Sequence, residues 1–196
     1  KLPERMAARK SRRKKNFDIF TEKYLPRTSK TYSSIDELKA DTPEADIYIA
    51  GSDQIWNPLF QNGKDPSFFL QFAPNSSKRI SYAASFAVDD LAAEDSERMK
   101  GWLKSLNAIS VREKSGVQLL SKMGLHGVQV CDPVFLLERT VWEKLAICPK
   151  EKKYLLVYDF DNNPEIRKIA SELAKKRDLT IISVFPMEGA DGIYKD

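Results

Sequence analysis

Short apolar runs alternate along this chain with segments whose apolar residues recur every three or four positions. The runs are rich in Ile, Val, Tyr and Phe and are bounded by polar residues, which is typical of β-strands. The first run, Ile47 to Ala50, has the composition of a short buried strand. The predicted strands are residues 47–50, 79–86, 108–111, 128–131, 154–158 and 181–185.

Helical patterns lie before and between these strands. Ser34 and Glu37 form a capping box that starts a short helix, and Asn163 caps another helix with Pro164 at its first position. The remaining helices are predicted around Phe17–Leu25, Met99–Leu106, 113–123 (ended by Gly124) and Trp142. Short strands alternating with helices predict an α/β fold with a doubly wound parallel sheet.

The most linker-like stretch is Pro149–Lys153. It divides the chain into a predicted N-terminal Rossmann-like domain, residues 1–149, and the beginning of a second such domain, residues 150–196. The second part is too short to cover a sheet on both faces, and Lys1 is not a natural start. We therefore expect the chain to be a fragment of a larger protein.

Size and composition restrict the class of protein. The 196 residues are 42% hydrophobic, enough for a globular core. No run approaches the roughly 18 to 20 apolar residues that cross a bilayer, and no hydrophobic segment follows the basic start as in a signal peptide. Cys131 and Cys148 fit no metal-ligand spacing, so we expect reduced thiols in a cytoplasmic protein.

Positive charge is concentrated at the start of the chain. Residues 1–30 hold eleven Lys or Arg against three acids, while the whole chain has a net charge of +4. The cluster Arg9–Lys15 could bind an anionic membrane surface or nucleic acid. The solvated face of a helix is the simpler interpretation. Peripheral membrane contact is the better of the other two, and we expect no nucleic-acid partner.

Polar side chains follow the first strand as a group. Gly51, Ser52, Asp53, Gln54, Trp56 and Asn57 place a hydroxyl, a carboxylate, two amides and an indole where a parallel strand delivers ligand-binding groups. Gly51 would permit a sharp turn. Asp53 is the natural general base for a substrate hydroxyl, Ser52 and Asn57 could fix a sugar or phosphate, and Trp56 offers a flat face to a pyranose ring. The alternative is an Asx-type turn with Trp56 in the core.

Arg112 is the second candidate. It lies where a predicted strand ends and a helix begins, so a guanidinium and free backbone amides point at one place, which suits an anion. Ser115 could add a hydroxyl. The alternative is an ion pair of Arg112 with Glu113 or Asp132 that ties strand ends together. Asp132, held extended before Pro133, is expected to be structural.

Two further polar residues, Ser85 and His126, lie outside these groups. Ser85 is the residue of the 79–86 strand expected to face a cleft. His126, between Gly124 and Gly127, is expected to be an exposed loop histidine without a function. Dinucleotide, P-loop, zinc-protease and hydrolase-elbow motifs are absent.

Four segments together resemble the polysaccharide pyruvyl transferase family in order and spacing, over roughly residues 16–185. The first is specific, and the others are persuasive as a series. They are Gly51–Asn57, Ile80–Phe86, Ser110–Glu113 and Asp132–Leu137.

The resemblance implies transfer of pyruvate from phosphoenolpyruvate to sugar hydroxyls as a ketal, in bacterial exopolysaccharide or cell-surface polysaccharide biosynthesis. It implies two Rossmann-like domains resembling GT-B-type glycosyltransferases, with a sugar or lipid-linked saccharide as acceptor. Arg112 would hold the donor anion, Asp53 would act as base or acceptor contact, and Trp56 would carry the sugar. No cofactor and no metal are implied.

Parts of the family pattern lie outside this sequence. An Asn/Gly-rich loop is expected upstream, and an Arg/His element late in the second domain, whose position His126 does not match. The rival interpretations are a nucleotide-sugar-dependent glycosyltransferase of similar architecture and a non-catalytic sugar-binding module.

Overall fold

The computed structural model describes residues 14–147 and 149–185, residue 190, and the backbone of residues 192 and 193. Backbone contacts divide the chain into two compact units. The larger unit is Arg27–Trp142, and the smaller combines residues 14–26 with the described residues from Glu143 onward. The predicted division into domains at residue 149 stays a prediction.

Helices and strands alternate along most of the described chain, as predicted. The helices are α1 (14–24), α2 (Ile35–Ala40), α3 (Ala93–Leu103), α4 (Lys114–Lys122), α5 (Arg139–Leu145) and α6 (Pro164–Arg177). The strands are β1 (Ile47–Ala50), β2 (Lys78–Ser81), β3 (Ser110–Val111), β4 (Val128–Gln129), β5 (Tyr154–Val157), β6 (Thr180–Ser183) and β7 (Gly192–Ile193). Short 3-10 helices cover Gln61–Lys64, Pro66–Phe69 and Pro133–Leu136.

All strand pairs in the larger unit are parallel. β1 pairs with β2 through Ile49 opposite Ile80, and β3 pairs with β4 through Val111 opposite Gln129. An isolated bridge between Ile80 and Ala108 joins the two pairs. The strands therefore follow one another in space in chain order, and their carboxyl ends meet at one edge.

The core of this unit lies under one face of these strands. Its largest fully buried side chains include Trp56, Phe69, Phe86, Met99 and Leu103. Gly116 lets α4 approach β3, because a Cβ there would lie 3.1 Å from the Cβ of Val111.

The local helix signals are largely confirmed. The Ser34 side chain accepts a hydrogen bond from the Glu37 amide, while the Glu37 carboxylate accepts from Ser33 rather than from Ser34. Asn163 caps α6 with Pro164 following it, and Gly124 has the left-handed φ of 72° that ends α4's segment.

The strand predictions were partly wrong. β1 is half-buried rather than buried, since Tyr48 and Ala50 face the core whereas Ile47 and Ile49 are exposed. β2 ends at Ser81 instead of continuing to residue 86, because Ala83 adopts a left-handed φ of 54° that breaks the ladder.

The doubly wound arrangement is not seen among the described strands. The molecule is mixed α/β with small parallel sheets, and the four strands of the larger unit keep chain order without the reversal that marks a switch point. The doubly wound, GT-B-type architecture stays a prediction. Within the described residues no helix combines the length and apolarity needed to span a bilayer.

The smaller unit contains the parallel sheet β5-β6-β7 and α6. Val157, Ala170, Ala174 and Ile181 form its core. Past the carboxyl ends of β5 and β6, the rings of Tyr158, Phe160 and Phe185 contact one another at centroid distances of 4.5 to 5.5 Å.

Candidate functional site

The ends of β1, β2 and β3 are joined through Ala84. Asp53 forms a parallel bridge with Ala84 on one side, and Val111 does so on the other. The amide of Ser85 donates to the carbonyl of Asp53 at 2.9 Å, and the amide of Arg112 donates to the carbonyl of Ala84 at 3.1 Å. The backbone therefore brings Asp53 and Arg112 together at the carboxyl ends of these strands. We call this edge, formed by Asp53, Ala84 and Arg112, the rim.

Each of the three nitrogens of the Arg112 guanidinium lies near a different carboxylate. Nε donates to Glu113 Oε1 at 2.8 Å, Nη1 donates to Asp132 Oδ2 at 3.2 Å, and Nη2 lies 4.0 Å from Asp53 Oδ1. Both ion pairs named as the alternative for Arg112 are thus present. The side chain nevertheless remains 27% exposed, so solvent still reaches the group.

Hydrogen bonding explains the electrostatics of this cluster. The bond to Glu113 raises the pKa of Arg112, followed by the bond to Asp132, while burial works in the opposite direction. The backbone amide of Val134 lowers the pKa of Asp132, and Arg112 adds to this effect. Guanidinium and carboxylate are both charged at neutral pH.

Asp53 has an exposed carboxylate on an unusual backbone. Its side chain is 83% exposed, and its φ of 72° lies in the left-handed region. Ala83 and Ala87, on the neighbouring segment, also have positive φ values of 54° and 52°. Alanine is uncommon in this region, and such strain tends to concentrate at functional sites.

Trp56 and Asn57, two of the three loop residues predicted as site residues after Asp53, are buried. Trp56 is fully buried, stacked at 5.4 Å on Phe69, and donates its indole N–H to the carbonyl of Phe68 at 3.0 Å. Its prediction as a sugar platform was wrong, because no face of the ring is exposed. Asn57 is also buried and accepts from the Leu59 amide at 3.0 Å.

The remaining residues of the segment hold or flank the loop. Gln54 accepts from the Asn57 side-chain amide at 3.0 Å, so its amide supports the loop. Gly51 was expected to permit a sharp turn, but it has no positive φ, and the left-handed residue after β1 is Asp53. Ser52 is partly exposed beside Asp53.

The two other predicted serines differ in exposure. Ser85 was expected to face a cleft, but it is fully buried, and its hydroxyl accepts from the Ala87 amide at 3.1 Å. This bond stabilises the strained turn at Ala87. Ser115 is partly buried in the first turn of α4, three residues after Arg112.

Sequence reasoning missed a reciprocal serine pair that fixes the rim. Ser81 Oγ donates to the carbonyl of Ser110 at 2.9 Å, and Ser110 Oγ donates to the carbonyl of Ser81 at 2.8 Å. The Ala83 amide donates to Ser110 Oγ at 3.2 Å. The available signal was a serine in each of two neighbouring predicted strands, Ser81 and Ser110.

The histidine, the described cysteine and a cavity do not contribute to the rim. His126 is exposed, as predicted, and Cys131 is an exposed free thiol, whereas Cys148 lies outside the described residues. A cavity of about 410 Å³ is lined by Asp46 and Ser77, among others. Both precede their strands, so this cavity lies at the opposite edge of the sheet from Asp53.

The rim combines an exposed carboxylate with a guanidinium that solvent can reach. A carboxylate can accept the proton of a hydroxyl, and a guanidinium can bind a phosphate or carboxylate. Groups of three or more potential metal ligands do not occur within the described part of the chain.

Comparison with known proteins identifies a family. The family model described as "Polysaccharide pyruvyl transferase" matches residues 5–187. Neither a curated protein nor a solved structure matches the chain.

Proposed function

The chain belongs to the polysaccharide pyruvyl transferase family, and we propose that its protein transfers pyruvate from phosphoenolpyruvate to two hydroxyls of a sugar as a ketal. Family membership indicates pyruvyl transfer in general. The observation that carries the finer proposal is the pairing of Asp53 and Arg112 on one rim, with Asp53 Oδ1 4.0 Å from Arg112 Nη2.

Arg112 would hold an anionic group of the donor. The outer side of its guanidinium is turned toward the exposed Asp53 carboxylate, and the amides of the first turn of α4 follow it in the chain. A guanidinium next to a helix N-terminus stabilises bound phosphate or carboxylate. The surrounding carboxylates oppose a donor anion, so further cations are expected to contribute.

The chemistry needs a proton on the donor and a base for the acceptor. An acid adds a proton to the methylene carbon of phosphoenolpyruvate, which leaves an oxocarbenium-like centre at the neighbouring carbon. One sugar hydroxyl forms a C–O bond there while Asp53 accepts its proton. The C–O bond to phosphate then breaks, and a second hydroxyl completes the ketal. Of the two hydroxyl protons, one balances the new methyl group and the other leaves with inorganic phosphate.

The acceptor and the setting follow from the family. We expect a sugar or lipid-linked saccharide acceptor in bacterial cell-surface or exopolysaccharide biosynthesis, in the cytoplasm, with two GT-B-like domains. The basic segment Arg9–Lys15 is expected to provide peripheral membrane contact through anionic lipid. The described part of α1 keeps Phe17 and Phe20 exposed next to this segment, which supports such contact.

A comparison of two donor substrates tests the proposal. The purified protein is incubated with a saccharide acceptor and either phosphoenolpyruvate or a nucleotide sugar, and acceptor mass and released phosphate are measured. The proposal predicts acceptor-dependent phosphate release with phosphoenolpyruvate. If Asp53 is the base, this release is lost in Asp53→Asn. Sugar transfer from the nucleotide donor would show the glycosyltransferase instead, and unchanged acceptor with both donors would favour a binding module.

A further inference from the structure

Two of the 3-10 helices in the larger unit begin in the same way. Asp65-Pro66 starts one and Asp132-Pro133 starts the other. Asp65 Oδ1 accepts from the Ser67 amide at 2.8 Å, and Asp132 Oδ1 accepts from the Val134 amide at 3.0 Å. One carboxylate oxygen is therefore sufficient to cap this type of turn.

The second oxygen distinguishes the two aspartates. Asp132 Oδ2 accepts from Arg112 Nη1 at 3.2 Å across 20 positions of sequence. Asp65 makes no ion pair within the described residues. The contact to Arg112 is thus additional to the capping role of Asp132.

Asp132 is the only one of the two close carboxylates that comes from a distant segment. Glu113 is the sequence neighbour of Arg112, so its bond to Nε cannot orient the guanidinium relative to another strand. Asp132 follows β4, whose end is also tied to Arg112, since Gln129 Nε2 donates to the Arg112 carbonyl at 3.2 Å. The end of β4 therefore supports both the backbone and the guanidinium of Arg112.

We propose that Asp132 is a positioning residue for donor binding, holding the Arg112 guanidinium in place through Oδ2 while Oδ1 anchors that carboxylate to the turn after β4. This inference rests on the proposed function, because it assumes that Arg112 binds the donor. Asp132 does not touch the substrate in this account. Instead, Asp132 restricts the rotamers of the Arg112 side chain before the donor binds.

The consequence is a selective effect on donor affinity. Donor binding is weaker when the guanidinium has to be ordered during binding. Removing the partner that orients a metal ligand commonly changes affinity or activity by about 10- to 100-fold, and we expect the lower end of that range for this guanidinium. Asp132→Asn retains a carbonyl oxygen that can cap Val134 but removes the charged acceptor. Asp65→Asn makes the same chemical change in a turn without the arginine.

Calorimetric titration with phosphoenolpyruvate, together with steady-state kinetics, tests this. Asp132→Asn should raise the dissociation constant and KM for phosphoenolpyruvate about tenfold, with kcat within about twofold. Asp65→Asn should leave the dissociation constant, KM and kcat unchanged. Its Tm shift should be similar to that of Asp132→Asn. In an Arg112→Ala background, Asp132→Asn should change donor affinity less than about twofold, because no guanidinium is left for Asp132 to orient.

Two results would overturn the inference in distinguishable ways. If the wild-type protein binds phosphoenolpyruvate through Arg112 but Asp132→Asn behaves like Asp65→Asn, then Asp132 is only a helix cap and the proposed function stands. If the wild-type protein does not bind phosphoenolpyruvate, the proposed function fails and the positioning role fails with it.

Discussion

Asp53 combines an exposed carboxylate with a left-handed backbone at the end of β1. Asp and Asn tolerate positive φ better than other non-glycine residues, because their short polar side chains can bond locally. The carboxylate is 83% exposed, so it contributes little to packing. Its chemistry can therefore be changed with little effect on the fold, provided that the replacement accepts the same φ.

Asp53→Asn should abolish base function without loss of stability. General base catalysis typically contributes about 10²- to 10⁴-fold, so kcat should fall by at least about 10²-fold, with Tm unchanged. Asp89→Asn, at another exposed aspartate, is the matched control and should retain full activity. A kcat within about threefold of wild type in Asp53→Asn would remove this residue from the mechanism.

Trp56→Phe separates a core residue from a sugar platform. The change leaves the carbonyl of Phe68 without its indole donor and leaves a gap beside Phe69, so the free energy of unfolding should fall by about 2 kcal/mol. Urea denaturation measures this loss. Acceptor affinity in the folded variant should be unchanged, and weaker acceptor binding with full stability would restore the platform interpretation.

The elements around the rim depend on close packing of α4 against β3. Gly116 lies on α4 where a Cβ would meet Val111 at 3.1 Å and Phe86 at 3.4 Å, whereas a Cβ at Gly101 on α3 would contact nothing within 4 Å. Both glycines are helical, so both substitutions by alanine gain the same helix propensity. Only the contacts differ.

Gly101→Ala should therefore stabilise the protein by up to about 1 kcal/mol, while Gly116→Ala should destabilise it by about 1 to 3 kcal/mol. The free energies of unfolding of the two variants are compared in one denaturation series. Equal stabilisation by both substitutions would show that α4 does not pack against β3 as closely as described.

At this scale the sequence could predict which residues share the carboxyl edge of the strands but not where each strand ends or how its end is fixed. Asp53 and Arg112 were expected at one edge because parallel strands share their carboxyl edge, and they meet there. The choice between a core Trp56 and an exposed one could not be made, because an indole in a loop has no periodicity that distinguishes the two. The pairing of Ser81 with Ser110 depends on strand register, which short runs do not specify.

Over the whole molecule, acid stability should depend on a few carboxylates with lowered pKa values. The amide of Val134 lowers the pKa of Asp132, Lys122 lowers that of Asp90, and the amide of Ser33 lowers that of Glu37. A carboxyl group with a lowered folded-state pKa contributes stability above its unfolded pKa of about 4, and this contribution is lost as the pH falls through the folded value.

Unfolding free energy measured between neutral pH and about pH 2 should therefore decrease below about pH 4. Asp132→Asn should make this decrease shallower, since one fewer proton is taken up on unfolding in acid. A decrease of the same steepness in wild type and Asp132→Asn would contradict the described contacts of Asp132.

The proposed function requires that the shared rim of β1 and β3 binds the donor through the Arg112 guanidinium. The most direct measurement is calorimetric titration of phosphoenolpyruvate into the wild-type protein, Arg112→Ala and Asp53→Asn. The predicted result is saturable binding to wild type, about hundredfold weaker binding to Arg112→Ala, and near-wild-type binding to Asp53→Asn. Equal affinity of Arg112→Ala and wild type would contradict the account.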